Sequence, residues 1–506
     1  MGIQTIEGIT YDFADYQSVD KEQLALFNYL DTIVRQQPYG SWDGWNAEDF
    51  HGKLHYVVAF MDYAMTMLFE TTSGYRTDYY RGVAEALVQK MNTSYSEWGD
   101  NSVEYLEWLH PEYDFVEYHY PNATESSDLY VGGYRGPANI MWTGHYALML
   151  ELYERNFNAG IFDDEVAWFI DDWNNSLNTD GLGTPKEGGI WEIGLIPCEP
   201  YIMFIQCNSI PIFLTELWDN SHGTEYMSMW DYGLDFMNAE MLDNHGLFTD
   251  GYYLVDPIGH RYDGAGTPDS FPGHAMDMHI ADGSPKMSAY GTSWSLTFLE
   301  YTLPEATIED YSTFLDLFGK DVSGSQMYMA DSYYAPEEFG EYDMLATLFT
   351  LALAKQRGDD VTVQRLLNFL YGMYNQVWSE DGRAMHYNTM AIEPFMQPVL
   401  AIGKMLAKSP VTIRDLATPR TAEFWNYPFI SSADDDSIWV YQAVYDVENS
   451  AFILNVEIDE TATLTFSNFG SQPTAYSYGQ PIFDLAEVGG EYILTLTPGS
   501  YNLVII

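Results

Sequence analysis

The sequence predicts a mainly α-helical protein: an α/α barrel of antiparallel helical hairpins, an α/α6-type toroid, followed by a small C-terminal antiparallel β domain. Helical periodicity with aromatic-rich faces dominates the first four hundred residues. In stretches such as 56–64 and 344–352, apolar residues cover most of the helix circumference, which indicates burial on more than one side. After about Pro419 the pattern changes to short alternating runs. We therefore expect a catalytic barrel over residues 1–420 and a β domain over residues 421–506.

The helical part contains about a dozen periodic segments of roughly ten to twenty residues, separated by Gly, Pro and Asp turns. The clearest segments begin near Lys21, His51, Arg76, Asn139, Glu165, Pro200, Glu225, Ser293, Asp343, Val361 and Glu393. Short loops alternating with longer aromatic-rich ones suit a barrel of hairpins better than a four-helix bundle.

The C-terminal part reads as strands because apolar and polar residues alternate in short runs broken by Gly, Asn, Asp and Pro. These runs are 438–441, 451–458, 462–466, 492–496 and 502–506. They predict a small antiparallel, sandwich-like domain that packs against the barrel and has a structural role.

The charge balance excludes several classes of protein. Seventy-five Asp and Glu oppose twenty Lys and Arg, which gives a net charge of −55. Nucleic acid is excluded as a partner because phosphate binding needs clustered cations. Disorder is excluded because 46% of the residues are hydrophobic. Such an acidic surface indicates a protein of a salt-in halophile. We expect a cytoplasmic location, because no secretory signal follows Met1 and no apolar run has the length of a membrane span.

The only two cysteines lie nine positions apart, at Cys198 and Cys207, within one apolar and aromatic stretch. Two thiols placed so close together suggest a site, because a thiol can carry a proton, act as a nucleophile, bind a soft metal or close a disulfide. The alternative is a pair of small core residues, since free cysteine is among the most buried residue types.

Four segments place reactive groups among aromatic residues: 42–51, the turn 74–76, 135–145 and 198–207. Asn-Ile-Met-Trp-Thr-Gly-His opens a helix at Asn139, and Pro-Cys-Glu-Pro is followed by Cys-Asn nine residues after its cysteine. An acidic pair precedes a helical hairpin whose turn carries Tyr75, and Tyr-Gly-Thr-Ser-Trp at 290–294 enters an aromatic helix. This combination resembles the linalool dehydratase/isomerase family over roughly residues 20–410.

The resemblance implies an α/α barrel with a dehydratase site for allylic tertiary alcohols, without organic cofactor or metal, in a protein that forms homo-oligomeric rings. The catalytic positions that it implies are Asp49, Tyr75, His145, Cys198 and Cys207. The positions that it implies for substrate binding are Glu48, Met141, Trp142, Glu199, Tyr290 and Trp294. Glu48 and Asp49 stand where family members often carry two aspartates, and we assign the catalytic role to Asp49.

The chemistry of dehydration agrees with this set of residues. Loss of water from an alcohol needs a proton on the departing oxygen, stabilisation of an electron-poor carbon, and a base. Tyrosine, cysteine or a carboxylic acid can supply the proton, and aromatic faces can stabilise the carbon. We therefore predict a cofactor-independent lyase, a dehydratase or a dehydratase/isomerase, that acts on a small allylic or isoprenoid (terpene) alcohol.

Several of these residues also have ordinary structural explanations. Asp49 can cap the helix that follows it, and Tyr75 can be a turn aromatic. His145 can be a hydrogen-bonded core histidine, while Tyr290 and Trp294 at helical spacing can belong to the core.

A metal site is a weaker alternative. His51 and His55 lie at i and i+4 on one helix face, and His274 with His279 is a second candidate pair. Neither pair has the glutamate placement of a zinc protease helix or a flanking cysteine cluster. Glycine-rich phosphate loops and Gly-x-Ser-x-Gly are absent from the sequence.

The strongest alternative of another class is a carbohydrate-active α/α-barrel enzyme, meaning a glycoside hydrolase, lyase or epimerase. Abundant Trp and Tyr could stack on sugar rings, carboxylates could form an acid–base pair, and the appended β domain fits this class. A non-catalytic binding protein or scaffold is the third hypothesis.

Overall fold

The computed structural model describes residues 2–37, 54–92, 140–177, 193–196, 202–242, 247–248, 251–253, 274–275, 288–300, 302, 311–330, 342–387 and 411–506. A mainly helical region precedes an antiparallel β region, which confirms the predicted fold class at this level. The described helices are α1 (Lys21–Val34), α2 (Leu54–Thr71), α3 (Asp78–Met91), α4 (Ile140–Phe157), α5 (Asp163–Ser176), α6 (Ile205–His222), α7 (Asp231–Glu240), α8 (Ala289–Leu299), α9 (Tyr311–Phe318), α10 (Met344–Gln356) and α11 (Asp360–Met373).

Side-chain caps explain where several helices begin. Asp20 accepts a hydrogen bond from the Gln23 backbone N–H at 2.8 Å, and its own N–H donates to the Gln23 side chain at 2.9 Å. Asp343 also caps its helix, α10, and its carboxylate accepts from the Ala346 N–H at 2.6 Å. Ser288 caps α8 through the Gly291 N–H, so this helix starts upstream of the Ser293 predicted from the sequence.

Helices α2, α4, α6, α8 and α10 form an inner row in which each packs against the next along the chain. The segment from Ile140 to Asn156 of α4 is buried throughout, and so is the stretch of α10 from Ala346 to Ala354. Helices α3, α5 and α11 pack outside α2, α4 and α10 respectively. This alternation of inner and outer helices is the arrangement of an α/α barrel, and its closure into a six-hairpin toroid stays a prediction.

A glycine and a proline bring two inner helices close together. A Cβ atom on Gly144 of α4 would lie 3.0 Å from Cδ of Pro211, which sits inside α6. This close contact lies one residue before His145, so the spacing of α4 and α6 positions that histidine.

Within the described residues, three small sheets are formed by segments that connect the helices, and the sequence analysis predicted none of them. They are β3 (Ile202–Phe204) with β4 (Gly251–Tyr253) and β5 (His274–Ala275), β6 (Gly319–Ser323) with β7 (Gln326–Met329), and β8 (Gln376–Trp378) with β9 (Met385–Tyr387). All of their pairings are antiparallel.

The C-terminal region forms two antiparallel sheets that share a core. Its strands are β10 (Phe429–Ala433), β11 (Ile438–Asp446), β12 (Ala451–Ile458), β13 (Ala462–Ser467), β14 (Thr474–Ser477), β15 (Gln480–Asp484), β16 (Ala486–Val488), β17 (Glu491–Leu496) and β18 (Gly499–Ile505). One sheet has the order β10-β13-β17-β16 and the other β11-β12-β18-β14-β15. Buried residues alternate with half-buried ones along β13 and with half-buried or exposed ones along β17, as expected for a sandwich with one solvated face.

An N-terminal hairpin, β1 (Ile3–Ile6) and β2 (Ile9–Asp12), packs on this sandwich. The Gln4 side chain donates to the Asn502 carbonyl at 2.9 Å, and Gln442 donates to the Phe13 carbonyl at 2.8 Å. The hairpin and its following turn bury Ile6, Tyr11 and Phe13 against the sheet. None of the described helices is both long and apolar enough to span a membrane.

Candidate functional site

The inner helices bring seven side chains together in what we call the central cluster: Tyr56, Phe60, Tyr63, His145, Cys207, Trp294 and Phe349. The Trp294 ring stacks on Phe349 at 4.5 Å between centroids and lies 5.1 Å from Phe60. Phe60 and Phe349 are themselves 5.9 Å apart, so α2, α8 and α10 meet at this point.

The cluster lies at the first half of α4 and α6 and reaches the middle of α2, α8 and α10. Tyr56 and Cys207 are each the third residue of their helix, while His145, Trp294 and Phe349 are each the sixth. On α2, the spacing of Tyr56, Phe60 and Tyr63 at i, i+4 and i+7 places all three on one face.

His145 is the most enclosed polar group of the cluster. Its Nδ1 lies 2.7 Å from the Tyr63 hydroxyl, and the ring meets Tyr56 edge-on at 5.3 Å between centroids. Burial lowers the pKa of His145 to about 3, so the imidazole is neutral at ordinary pH. Burial, together with the nearby Asp62, raises the pKa of Tyr63 well above its usual value, so the phenol keeps its proton. Nε2 of His145 has no hydrogen-bond partner within the described part of the chain.

Cys207 is a free, buried thiol whose Sγ lies 3.7 Å from the Tyr56 hydroxyl. Tyr56 therefore contacts both residues, Cys207 through its hydroxyl and His145 through its ring. The adjacent Asn208 side chain accepts from the Ile196 N–H at 3.0 Å and donates to the Ile196 carbonyl at 2.9 Å. This reciprocal pair fixes residues 193–196 against the start of α6.

Tyr290 extends the cluster toward its rim. Its ring lies 6.5 Å from Trp294, and its hydroxyl accepts a hydrogen bond from Gln206 at 2.6 Å. Tyr290 and Tyr56 are only partly buried, whereas Trp294 is buried. The two tyrosines therefore mark the more accessible side of the cluster.

The two remaining candidates on α4 are both buried. Met141 lies one turn before His145, which places it on the same helix face. Trp142 stacks on Tyr146 at 4.6 Å, and Tyr146 in turn contacts Phe169 of the outer helix α5. Trp142 thus belongs to the packing between α4 and α5.

The structure does not place Tyr75 with these residues. Tyr75 follows the C-terminal end of α2, and the 15 steps from Tyr56 to Thr71 span roughly 22 Å at about 1.5 Å per residue. Its hydroxyl donates to the Asp435 carboxylate next to the β sandwich, and its backbone pairs with Ile430. Burial and the Asp435 carboxylate raise the pKa of Tyr75 well above its usual value. Tyr75 therefore joins the helical part to the sandwich.

Four predicted site residues lie outside the described residues: Glu48, Asp49, Cys198 and Glu199. Of the histidines considered for a metal, His51 and His279 also lie outside, and His55 and His274 are described by their backbone alone. Within the described ranges, no three His, Cys, Asp or Glu side chains are grouped so that they could hold a metal ion.

The sequence analysis missed Tyr56, Phe60, Tyr63 and Phe349. The available signal was the i, i+4, i+7 spacing on α2, but this helix is apolar on nearly every side. It also missed Asp62, a buried carboxyl group on α2. Desolvation raises the pKa of Asp62 well above its usual value, and its Oδ2 has no partner among the described residues.

No protein-family profile matches the chain. Among solved structures, it is similar to the unsaturated glucuronyl hydrolase of Streptococcus agalactiae, at 10% identity and a TM-score of 0.45, covering 82% of this chain and 100% of that one. The α-1,6-mannanase of Salegentibacter sp. is similar at 11% identity and a TM-score of 0.43, covering 77% and 99%. A β-L-arabinofuranosidase of Geobacillus stearothermophilus is similar at 12% identity and a TM-score of 0.32, covering 95% and 80%.

These comparisons contradict the predicted dehydratase or dehydratase/isomerase of a small allylic or isoprenoid alcohol. The similar structures are named for the hydrolysis of carbohydrates, and one mannanase structure contains α-1,6-mannotriose. The predictions of a terpenoid substrate, of a hydro-lyase activity and of a small hydrophobic alcohol as partner are therefore wrong. The error has a physical cause, because aromatic faces that could stabilise an electron-poor carbon can equally stack on the C–H groups of a sugar. The resemblance to the linalool dehydratase/isomerase family stays a prediction.

Proposed function

We propose that this chain is a carbohydrate-active enzyme that cleaves a glycosidic bond and binds one sugar unit in the central cluster. The observation that carries the proposal is the convergence of aromatic rings from α2, α8 and α10 around polar groups that hold their protons. A sugar has apolar C–H faces and a rim of hydroxyl groups. Sites for such molecules combine aromatic walls with a few converging polar atoms.

The walls and the polar atoms of the cluster meet both requirements. Trp294, Phe60 and Phe349 offer ring faces and edges within 6 Å of one another. The uncharged side chains of His145 and Tyr63 supply hydrogen-bonding atoms beside these rings. Burial of these groups makes each hydrogen bond to a ligand stronger than it would be in water.

Tyr56 is our candidate for proton transfer to the departing oxygen. Its hydroxyl lies beside the Cys207 thiol, and its ring stands at the more accessible side of the cluster. Cleavage of a glycosidic bond needs a proton on the leaving oxygen, and a positioned acid typically contributes about 10²–10⁴-fold. Glycosidases also need a carboxylate that acts as base or nucleophile on the other side of the sugar. Glu48 and Asp49, close to Tyr56 in the sequence, are our candidates for that role.

The test is a reducing-sugar assay of the purified chain in molar KCl. The substrates are a panel of neutral and acidic oligosaccharides, together with a tertiary allylic alcohol monitored in the headspace. We expect sugar release by the wild type and a loss of roughly a hundredfold or more in Tyr56→Phe. The matched control is Tyr153→Phe. It removes a hydroxyl of α4 that donates to Glu85 on the outer helix α3. Formation of an alkene without sugar release would refute the proposal, as would inactivity toward every sugar.

A further inference from the structure

We infer that the central cluster binds an uncharged oxygen of the substrate, a hydroxyl or ring oxygen, between Nε2 of His145 and Nε1 of Trp294, and that the sugar bound there is neutral. This inference rests on the proposed function and narrows its substrate class. It excludes uronic acids from the position at the centre of the cluster.

Both nitrogens are buried polar atoms without a hydrogen-bond partner in the described part of the chain. Their rings lie 6.0 Å apart between centroids at an interplanar angle of 63°. Buried polar groups are nearly always paired in folded proteins, because an unpaired one keeps the full cost of desolvation. Two unpaired nitrogens on neighbouring rings indicate a position that a ligand atom completes.

Tyr63 determines what kind of atom can complete it. The Tyr63 hydroxyl keeps its proton and lies 2.7 Å from Nδ1 of His145. If it donates that proton to Nδ1, the proton of the neutral imidazole must reside on Nε2. Nε2 of His145 and Nε1 of Trp294 are then both donors. The group that satisfies them together is an acceptor oxygen.

The surroundings select an uncharged acceptor. Within the described residues, the ring contacts of His145 and Trp294 are with Tyr56, Phe60 and other aromatic side chains, and none is with Arg or Lys. The same burial that keeps His145 neutral would penalise a carboxylate. The chain also carries a net charge of −55, which disfavours an anionic ligand. A neutral sugar meets none of these costs.

The experiment is a calorimetric titration in molar KCl with matched pairs of methyl glycosides. Each pair consists of a neutral hexoside and its uronate, in the gluco, galacto and manno series. We expect the wild type to bind the neutral member of its preferred pair at least about tenfold more tightly than the uronate. Trp294→Phe keeps an aromatic ring and removes the N–H, so it should weaken neutral binding by about tenfold, the worth of one buried hydrogen bond.

The matched control is Trp173→Phe, which removes another buried indole N–H without a described partner, on the outer helix α5. We expect its affinity to stay within about twofold of the wild type. The second variant is Tyr63→Phe, which should weaken binding of the neutral glycoside severalfold. Without the Tyr63 hydroxyl, the proton of His145 is no longer held on Nε2. This variant keeps the test decisive if Trp294→Phe does not fold.

Three outcomes would overturn the inference. Equal or tighter binding of the uronate would do so, and so would unchanged binding in a folded Trp294→Phe or, failing that, in Tyr63→Phe. If any of these three outcomes is found and the wild type still cleaves sugars, the proposed function survives. If the wild type binds and cleaves no sugar of either charge, the inference and the proposed function fall together.

Discussion

The two ends of α2 lie in buried regions of opposite character. Near its N-terminal end, the central cluster holds neutral polar groups, some without a partner among the described residues. At its C-terminal end, Glu70 binds Arg155 at 3.0 Å and Arg420 at 2.6 Å. Tyr75 follows one turn later and donates to Asp435. The charged groups at the C-terminal end of α2 are paired, so they stabilise the fold. The unpaired polar groups at the N-terminal end are instead available to a ligand.

The largest expected effect is a loss of stability when the ion pairs at the C-terminal end of α2 are broken. Glu70→Gln should lower the free energy of unfolding by about 3–5 kcal/mol, because it leaves the Arg155 and Arg420 guanidinium groups without their counter-charge. Denaturant unfolding in molar KCl measures the loss. The control is Glu85→Gln, which breaks a half-exposed pair with Arg81 and should cost less than about 0.5 kcal/mol. Equal losses in both variants would contradict the distinction between the two ends.

The pH dependence of Glu70 has a definite sign. Burial alone would raise its pKa, but Arg420 and Arg155 outweigh burial and lower it. The stabilisation from Glu70 is therefore present above its unfolded pKa and is lost as the pH falls through the lowered folded value.

Tyr75 gives the second prediction. Tyr75→Phe should cost about 1–3 kcal/mol of stability, since the half-buried Asp435 carboxylate loses a donor from a buried phenol. Sugar cleavage by the folded variant should equal that of the wild type. A hundredfold loss of turnover with unchanged stability would restore Tyr75 to the catalytic group that the sequence analysis predicted.

The third prediction concerns Glu151, a buried acid on α4. It lies between His145 of the central cluster and Arg155, which binds Glu70. Burial raises the pKa of Glu151 to about 8, and the nearby Asp163 and Glu154 add to this. A raised folded pKa means that stability is fully present below the unfolded value of about 4.5 and is lost as the pH rises through about 8.

Glu151→Gln should therefore raise the melting temperature by a few degrees at pH 9 and change it little at pH 5. Thermal unfolding at the two pH values checks this. An equal shift at both values would show that ionisation of Glu151 is not the cause.

The smallest expected effect is at Cys207. Under the proposed function its thiol packs beside Tyr56 and forms no bond with the substrate, so Cys207→Ser should keep activity within about threefold. Loss of a catalytic nucleophile would instead cost orders of magnitude. The reducing-sugar assay separates these outcomes, and a loss above a hundredfold would identify Cys207 as a reacting group.

The parts of the fold that depend on neighbouring residues could be predicted from the sequence. Asp20 and Asp343 cap α1 and α10 within three residues of themselves, and the alternation along β13 is visible in six residues. The inner faces could not be predicted in the same way. Because α2 is apolar on nearly every side, its sequence does not show that Tyr56 and Tyr63 turn toward the cluster.

The candidate site shows the same limit. His145, Cys207 and Trp294 were grouped in advance because each stands in a recognisable local motif. Tyr75 was grouped with them, yet its partner Asp435 lies 360 residues away in the chain. Only the tertiary structure reveals a contact at that separation. Substrate class was the least predictable property, because aromatic rings serve sugars and hydrocarbons alike.

The N-terminal hairpin has a consequence for the order of events during synthesis. Gln4 and Asn502, which hydrogen-bond to each other, are separated by 498 residues. At typical rates of 5–20 residues per second, the first of them waits roughly 25–100 s for the second. Each helical hairpin joins neighbouring segments and can fold as it emerges. The N-terminal hairpin, in contrast, can pack on the β sandwich only after the strand that carries Asn502 has been synthesised.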